Sequence, residues 1–130
     1  MGGLSTNLFC ISYLLILFPV VPSGIPRNLV AAVISSSRVL LTWQPLIPEQ
    51  QNGIILQYVV NFTASETGEG FELFTTLNQL TVSSLHPHWT YIFTVAAETS
   101  VGIGPSSMAV TATTPEDGKE IQLYVKYLHP

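Results

Sequence analysis

Residues 85–107, LHPHWTYIFTVAAETSVGIGPSS, decide the fold of this chain. In the middle of the stretch, Tyr91, Phe93 and Val95 alternate with Ile92 and Thr94. Successive side chains of a strand point to opposite faces of the sheet, so this period of two is typical of a strand with one buried face. The glycine-rich SVGIGPSS that follows predicts a loop.

The same alternation recurs along residues 26–115, with turn residues between the alternating runs. Two prolines and an Asn-Gly mark residues 44–53 as a loop, and SETGEG predicts a turn. No window shows the 3.6-residue period of a capped helix. The sequence therefore predicts an all-β fold, a seven-stranded Greek-key sandwich of the immunoglobulin-like class. The expected strands are 29–33, 39–43, 58–63, 70–77, 80–85, 91–98 and 110–114.

The composition excludes several classes of function. The 130 residues allow one domain, and the 47% that are hydrophobic argue against disorder. Four Lys or Arg against eight Asp or Glu give a net charge of -4, which excludes a basic surface for nucleic acid. The single cysteine, Cys10, cannot form an intrachain disulfide. Packing between the sheets must then stabilise the domain, and Trp43, the largest residue expected to face inward, is predicted at its centre.

Residues 1–23 form a hydrophobic N-terminal segment that differs from the rest of the chain. The run from Leu8 to Val21 contains no charge and is shorter than a membrane span, so the segment predicts a signal peptide cleaved after Ser23. No Lys or Arg precedes the run. An uncleaved anchor, or a fragment with a misassigned start, therefore remains an alternative.

A lipidation motif overlaps the same segment. Met1, Gly2 and Thr6 satisfy the pattern for N-myristoylation. The pattern is short, and it predicts a cytosolic protein, whereas the apolar run after it predicts export.

The stretch 85–107 resembles the most recognisable part of a fibronectin type III domain. That family shows Leu-x-Pro, a Tyr four residues after the proline, alternating apolar residues, and a Gly-x-Gly loop before a serine. The matching residues are Leu85, Pro87, Tyr91, Phe93, Val95, Ala97, Gly102, Gly104, Pro105 and Ser107, with Pro26, Leu29, Trp43, Pro45, Tyr58, Val60 and Phe62 upstream. The resemblance implies a fibronectin type III domain at residues 24–115, followed by a linker or truncated tail at 116–130.

The resemblance also implies structural roles for several side chains. Tyr91 is expected to be the tyrosine corner, whose hydroxyl bonds the backbone near the turn before its strand. Trp89 stands where the family usually has a small polar residue, and we expect it to cover one end of the sandwich. The expected structural core comprises Trp43, Tyr58, Leu85, Pro87, Tyr91, Phe93 and Val95.

Two loops at one end of the sandwich often carry recognition in this family. Here they correspond to residues 45–53 and 99–106. No Arg-Gly-Asp occurs in the chain. The candidate binding residues are Gln51, Asn52, Gly53, Val101, Gly102, Ile103 and Gly104.

Asn61 begins the sequon Asn-Phe-Thr and is predicted to be N-glycosylated. The alternation places Asn61 on the face opposite to Tyr58, Val60 and Phe62. It should therefore point outward, where an attached glycan has room.

No catalytic or metal-binding motif emerges from the sequence. His86 and His88 are two ligands at most, without a neighbouring Cys or acidic side chain, and are expected on a surface loop. No nucleophile elbow, phosphate-binding loop or phosphatase Cys-x5-Arg occurs. We therefore predict no enzyme activity, cofactor, metal or small-molecule substrate.

The predicted function is that of a non-enzymatic, extracellular, glycosylated module in a secreted or cell-surface protein, with a role in adhesion. It would recognise a protein partner or space neighbouring fibronectin type III repeats. The stretch 85–107 resembles modules from the ectodomains of receptor-type tyrosine phosphatases and related cell-surface receptors, so a truncated ectodomain fragment of such a phosphatase without the catalytic domain is an alternative. A myristoylated cytosolic adaptor is the third possibility. Membrane attachment is expected only through the N-terminal segment or a span further downstream.

Overall fold

The computed structural model describes residues 20–117, which form two packed β-sheets. Cys10, the myristoylation motif, the run up to residue 19 and the tail from residue 118 lie outside the described residues. Within residues 20–117 no helix is long and apolar enough to cross a membrane. The elements are β1 (Arg27–Ser35), β2 (Arg38–Gln44), α1 (Pro48–Gln51), β3 (Gln57–Ala64), β4 (Gly70–Thr75), β5 (Gln79–Val82), β6 (Thr90–Glu98), β7 (Ile103–Ser106) and β8 (Val110–Thr113).

The smaller sheet has three strands in the order β1-β2-β5, and the larger has the order β4-β3-β6-β7, with β8 also paired to β6. All of these pairings are antiparallel. The longest ladder joins β3 to β6, from Gln57 opposite Glu98 to Ala64 opposite Tyr91. The predicted all-β sandwich is confirmed.

The last strand differs from the prediction. It begins at Ile103, inside the predicted loop, and is interrupted between β7 and β8. At the interruption Ser107 turns inward, and its amide donates to the Val95 carbonyl at 2.7 Å. Its hydroxyl in turn accepts the Val95 amide at 3.0 Å. The described chain therefore shows eight strands where seven were predicted, because a side chain replaces one ladder contact of the edge strand.

The interior between the sheets is filled by buried residues of five strands, β2, β3, β5, β6 and β8, and of the turns beside them. Of the expected core residues, Trp43, Tyr58, Leu85, Tyr91, Phe93 and Val95 are all buried. Pro87, in the turn before β6, is only half-buried. Its expected place in the core is therefore wrong.

Two residues expected on the outer face of the larger sheet are also buried. Val59 is 0% exposed and Ala96 is 1% exposed. They lie opposite each other on β3 and β6, and Phe74 of β4 stands on the other side of Val59. Neighbours on three strands shield this small central area from water, so strict alternation fails there.

Candidate functional site

The two candidate binding loops lie at the same end of the sandwich. The Leu56 amide, just before β3, donates to the Glu98 carbonyl at the end of β6. The chain also turns back there, since the Thr99 amide donates to the Gly102 carbonyl at 3.0 Å. This end, which we call the loop end, comprises residues 45–56 and 99–103.

Three of the candidate binding residues lie in regular structure rather than in loops. Gln51 ends α1, and its side-chain amide donates to the Leu46 carbonyl at 3.2 Å. Ile103 and Gly104 belong to β7. Asn52 caps α1 in the left-handed conformation, with a φ of 55°. The loop assignment of Gln51, Ile103 and Gly104 is therefore wrong, and only Asn52, Gly53, Val101 and Gly102 remain in loops.

The segment Val20–Ser23 bridges both loops, which the sequence did not suggest. The Val20 amide donates to the Asn52 carbonyl at 3.2 Å, and the Val20 carbonyl accepts the Thr99 hydroxyl at 3.1 Å. The Ser23 amide donates to the Gln50 carbonyl at 2.9 Å. The folded chain therefore includes residues that the sequence assigned to the leader, upstream of the expected border after Ser23.

Pro22 fixes this segment against β7. It is fully buried, and a Cβ at Gly104 would lie 2.8 Å from its carbonyl oxygen. The Asn52 side-chain amide also donates to the Val21 carbonyl, at 3.3 Å. Asn52 and Gly104 therefore bind the protein's own N-terminal segment, and they are not free for a partner.

Several exposed aliphatic side chains lie at the loop end and on the segment Val20–Ser23 beside it. The most exposed of them, Ile54, has 80% of its surface accessible. Isolated exposed aliphatic residues are common, but a group of them at one place marks an interaction surface. We call this group the loop-end surface; its members are Val20, Val21, Ile54, Leu56, Val101 and Ile103.

Asn61 is exposed in the middle of β3. Its neighbours across the sheet are Glu72 on β4 and Thr94 on β6. The side chain therefore stands on the outer face of the larger sheet, away from the loop-end surface.

The titratable side chains near the opposite end contact other residues of the domain. Glu66 accepts the Thr90 amide at 3.0 Å, and Asp117 accepts the Ser36 hydroxyl at 2.7 Å. The His86 ring lies against Trp89, with ring centres 4.1 Å apart. Within residues 20–117 no three His, Cys, Asp or Glu side chains are close enough to hold a metal ion.

The family model of the fibronectin type III domain matches residues 24–113. Receptor-type tyrosine-protein phosphatase F of Danio rerio is 35% identical over 94 residues, which are 72% of this chain and 5% of that protein. Protein sidekick of Drosophila melanogaster is 36% identical over 107 residues, which are 79% of this chain and 5% of that protein. The crystal structure of the FN5 domain of Drosophila Lar is similar with a TM-score of 0.60 and 27% identity, covering 73% of this chain and 98% of that one. The chain thus spans about 5% of the length of these curated relatives.

Proposed function

The chain belongs to the fibronectin type III family, and from this premise we propose that it is a non-enzymatic module for protein recognition outside the cell. The observation that carries the proposal is the loop-end surface, where six aliphatic side chains are exposed together. Burying such a surface against a partner releases water and is favourable at about 25 cal/mol per Å². A protein partner with an apolar patch of its own fits this surface.

A comparison of three baits tests this proposal. The full chain, expressed in a mammalian secretory host, is cross-linked to cell-surface proteins as wild type, as Ile54→Ser and as Phe74→Ser. Phe74 is a matched control, because it is 50% exposed but lies on the outer face of β4. We expect a partner that the wild type and Phe74→Ser capture and that Ile54→Ser loses. Equal capture by all three baits would contradict recognition through the loop end.

Spacing between neighbouring modules is the other role that this surface supports. Val20 belongs to the loop-end surface and is also where the chain enters the described fold. If the chain is a piece of a longer protein rather than one with a leader at 1–23, a module placed upstream would stand beside the same aliphatic residues. If the captured partner is itself a fibronectin type III protein bound in tandem order, spacing is the better description.

A piece of a receptor-type phosphatase is the second candidate function. It is favoured by the 35% identity to receptor-type tyrosine-protein phosphatase F. The matched residues are a fibronectin type III module, so phosphatase activity would belong to another part of the longer protein. Mapping the full-length transcript tests this candidate: further repeats, a membrane span and a phosphatase domain downstream support it, and a stop codon after Pro130 in every transcript contradicts it.

Export and glycosylation complete the proposal. The apolar segment 1–23 supports entry into the secretory pathway, and the exposure of Asn61 supports glycan attachment there. Cleavage after Ser23 would remove Val20 and Val21 from the loop-end surface and leave its other four members in place. Protein secreted by a mammalian host should shift in gel mobility after PNGase F treatment, and Asn61→Gln should abolish the shift. Intact mass distinguishes the alternative: a retained Gly2 carrying a C14 acyl chain would indicate a cytosolic lipid-anchored protein.

A further inference from the structure

A cavity opens at the end of the sandwich opposite to the loop end. β3 runs from Gln57, beside the loop end, to Ala64, which pairs with Tyr91 near the start of β6. The cavity lies there, between the turn after Ala64 and the residues before Trp89, and its volume is about 200 Å³. A single water needs only ~10–15 Å³ by this measure, so the space is large enough for one side chain.

Aromatic rings form much of the cavity wall. Phe71 of β4 stacks on Phe62 of β3 with ring centres 5.1 Å apart, and Phe62 meets Tyr91 at 6.1 Å. The centre of the Trp89 ring lies 6.3 Å from that of Tyr91, and the His86 ring lies against Trp89 at a tilt. Phe71 is 45% exposed, so part of its ring is available to a ligand. The electron-rich faces of such rings attract cations.

An exposed acidic residue lines this cavity. Glu69 lines it, at the end of a turn closed by the Gly68 amide, which donates to the Ala64 carbonyl at 2.7 Å. Gly68 has a φ of 75°, which allows the chain to turn so tightly. The Glu69 carboxylate accepts no hydrogen bond from the residues that the structure describes. Neither arginine of residues 20–117 lines the cavity.

We propose that this cavity is a second recognition site, which takes the side chain of an arginine or lysine from an extended segment of a protein partner. The aliphatic stem of such a side chain would lie along the Phe71 and Trp89 rings, as long cationic side chains do on apolar surfaces. Its charged head would reach Glu69. A neutral aliphatic side chain would fill the same space but would leave Glu69 without a counter-charge. The proposal is independent of the function assigned to the loop end.

Saturation-transfer NMR on the full chain tests the proposal. The probes are N-acetylarginine methylamide and its citrulline counterpart, which has nearly the same shape but no charge. We expect saturation of the arginine side-chain methylenes and a Kd at least threefold lower for the arginine probe. Glu69→Gln should weaken arginine binding by about three- to tenfold, and Phe71→Leu, which keeps an apolar side chain but removes the ring, by a similar factor.

The chain offers a matched control for each variant. Glu72 and Phe74 lie on the same strand as Phe71 but alternate to its other face, and neither lines the cavity. Glu72→Gln and Phe74→Leu should change the arginine Kd by less than about twofold. The proposal is overturned if citrulline binds as tightly as arginine, if the control variants weaken binding as much as the cavity variants, or if the arginine probe shows no saturation. Melting curves of all four variants verify that each is folded.

Discussion

At the scale of single residues, the tyrosine corner connects a sequence pattern to a measurable contact. The Tyr91 hydroxyl accepts the His86 amide at 2.8 Å, as the family resemblance implied. Removing the hydroxyl leaves that amide without its acceptor in a part-buried place, at a cost of about 1–3 kcal/mol. Tyr91→Phe should therefore lower the free energy of unfolding by that amount in urea denaturation, with the fold retained. An unchanged denaturation midpoint would contradict a stabilising role for the corner.

Tyr58 makes the stability of the folded protein depend on pH in the alkaline range. Burial raises the pKa of its phenol above the ordinary value. The folded state therefore holds this proton at a pH where the unfolded chain, with a pKa near 10, releases it. The stabilising contribution is complete below about pH 10 and is lost as the pH rises through the folded pKa.

Denaturation at a series of pH values measures this contribution. The free energy of unfolding of the wild type should fall from about pH 9.5 upward, and that of Tyr58→Phe should fall less steeply over the same range. Its ring packs edge-on against Trp43 at 5.4 Å, so phenylalanine can retain that contact. Parallel curves for the two proteins would assign the alkaline loss of stability to other groups.

Much of the fold follows from features that single strands display. The sequence pattern located seven of the eight strands, all but β7, and the buried positions of Trp43, Phe93 and Val95, because one face of each strand must be apolar. Alternation does not predict which segments distant in the chain contact each other. The cavity required the register that places Phe71 opposite Phe62, and the loop end required the path of Val20–Ser23. In the sequence those four residues were indistinguishable from the end of an apolar leader.

At the scale of elements, the segment Val20–Ser23 connects the two loops through hydrogen bonds to both of them. A chain beginning at Gly24 lacks the bonds to Asn52, Thr99 and Gln50 and also the buried Pro22. At roughly 0.5–1.5 kcal/mol for each hydrogen bond, residues 24–117 should be less stable than residues 20–117 by about 2–4 kcal/mol. Thermal melting of the two chains measures the difference.

The contact between Pro22 and Gly104 distinguishes a specific stabilising role of segment Val20–Ser23 from a general effect of chain length. A Cβ at Gly104 would meet Pro22 atoms at 2.8 Å. Gly104→Ala should therefore destabilise residues 20–117 but have a smaller effect in residues 24–117, where Pro22 is absent. Val21→Ser is a suitable control for a change of side chain within the same segment. Val21 is 41% exposed, and the substitution leaves its backbone contacts in place. An equal cost of Gly104→Ala in both chains would show that Pro22 does not determine the space at this position.

At the scale of the whole molecule, the two ends of the sandwich differ in chemistry. The loop end presents aliphatic side chains, whereas the other end presents an aromatic cavity that Glu69 also lines. An outward glycan at Asn61 would cover the face between them and leave both ends accessible. The module is therefore suited to end-to-end contacts, and a partner on the outer face of the larger sheet would compete with the glycan.

At this scale no disulfide contributes to the stability of residues 20–117, because they contain no cysteine. A single core between two sheets in a domain of this size predicts one cooperative unfolding transition, with a free energy of about 5–15 kcal/mol. Residues 20–117 should therefore melt in one step, and the midpoint should be the same with and without dithiothreitol. Two separate transitions, or a midpoint of residues 20–117 that depends on the reductant, would show that the sandwich is not a self-sufficient unit.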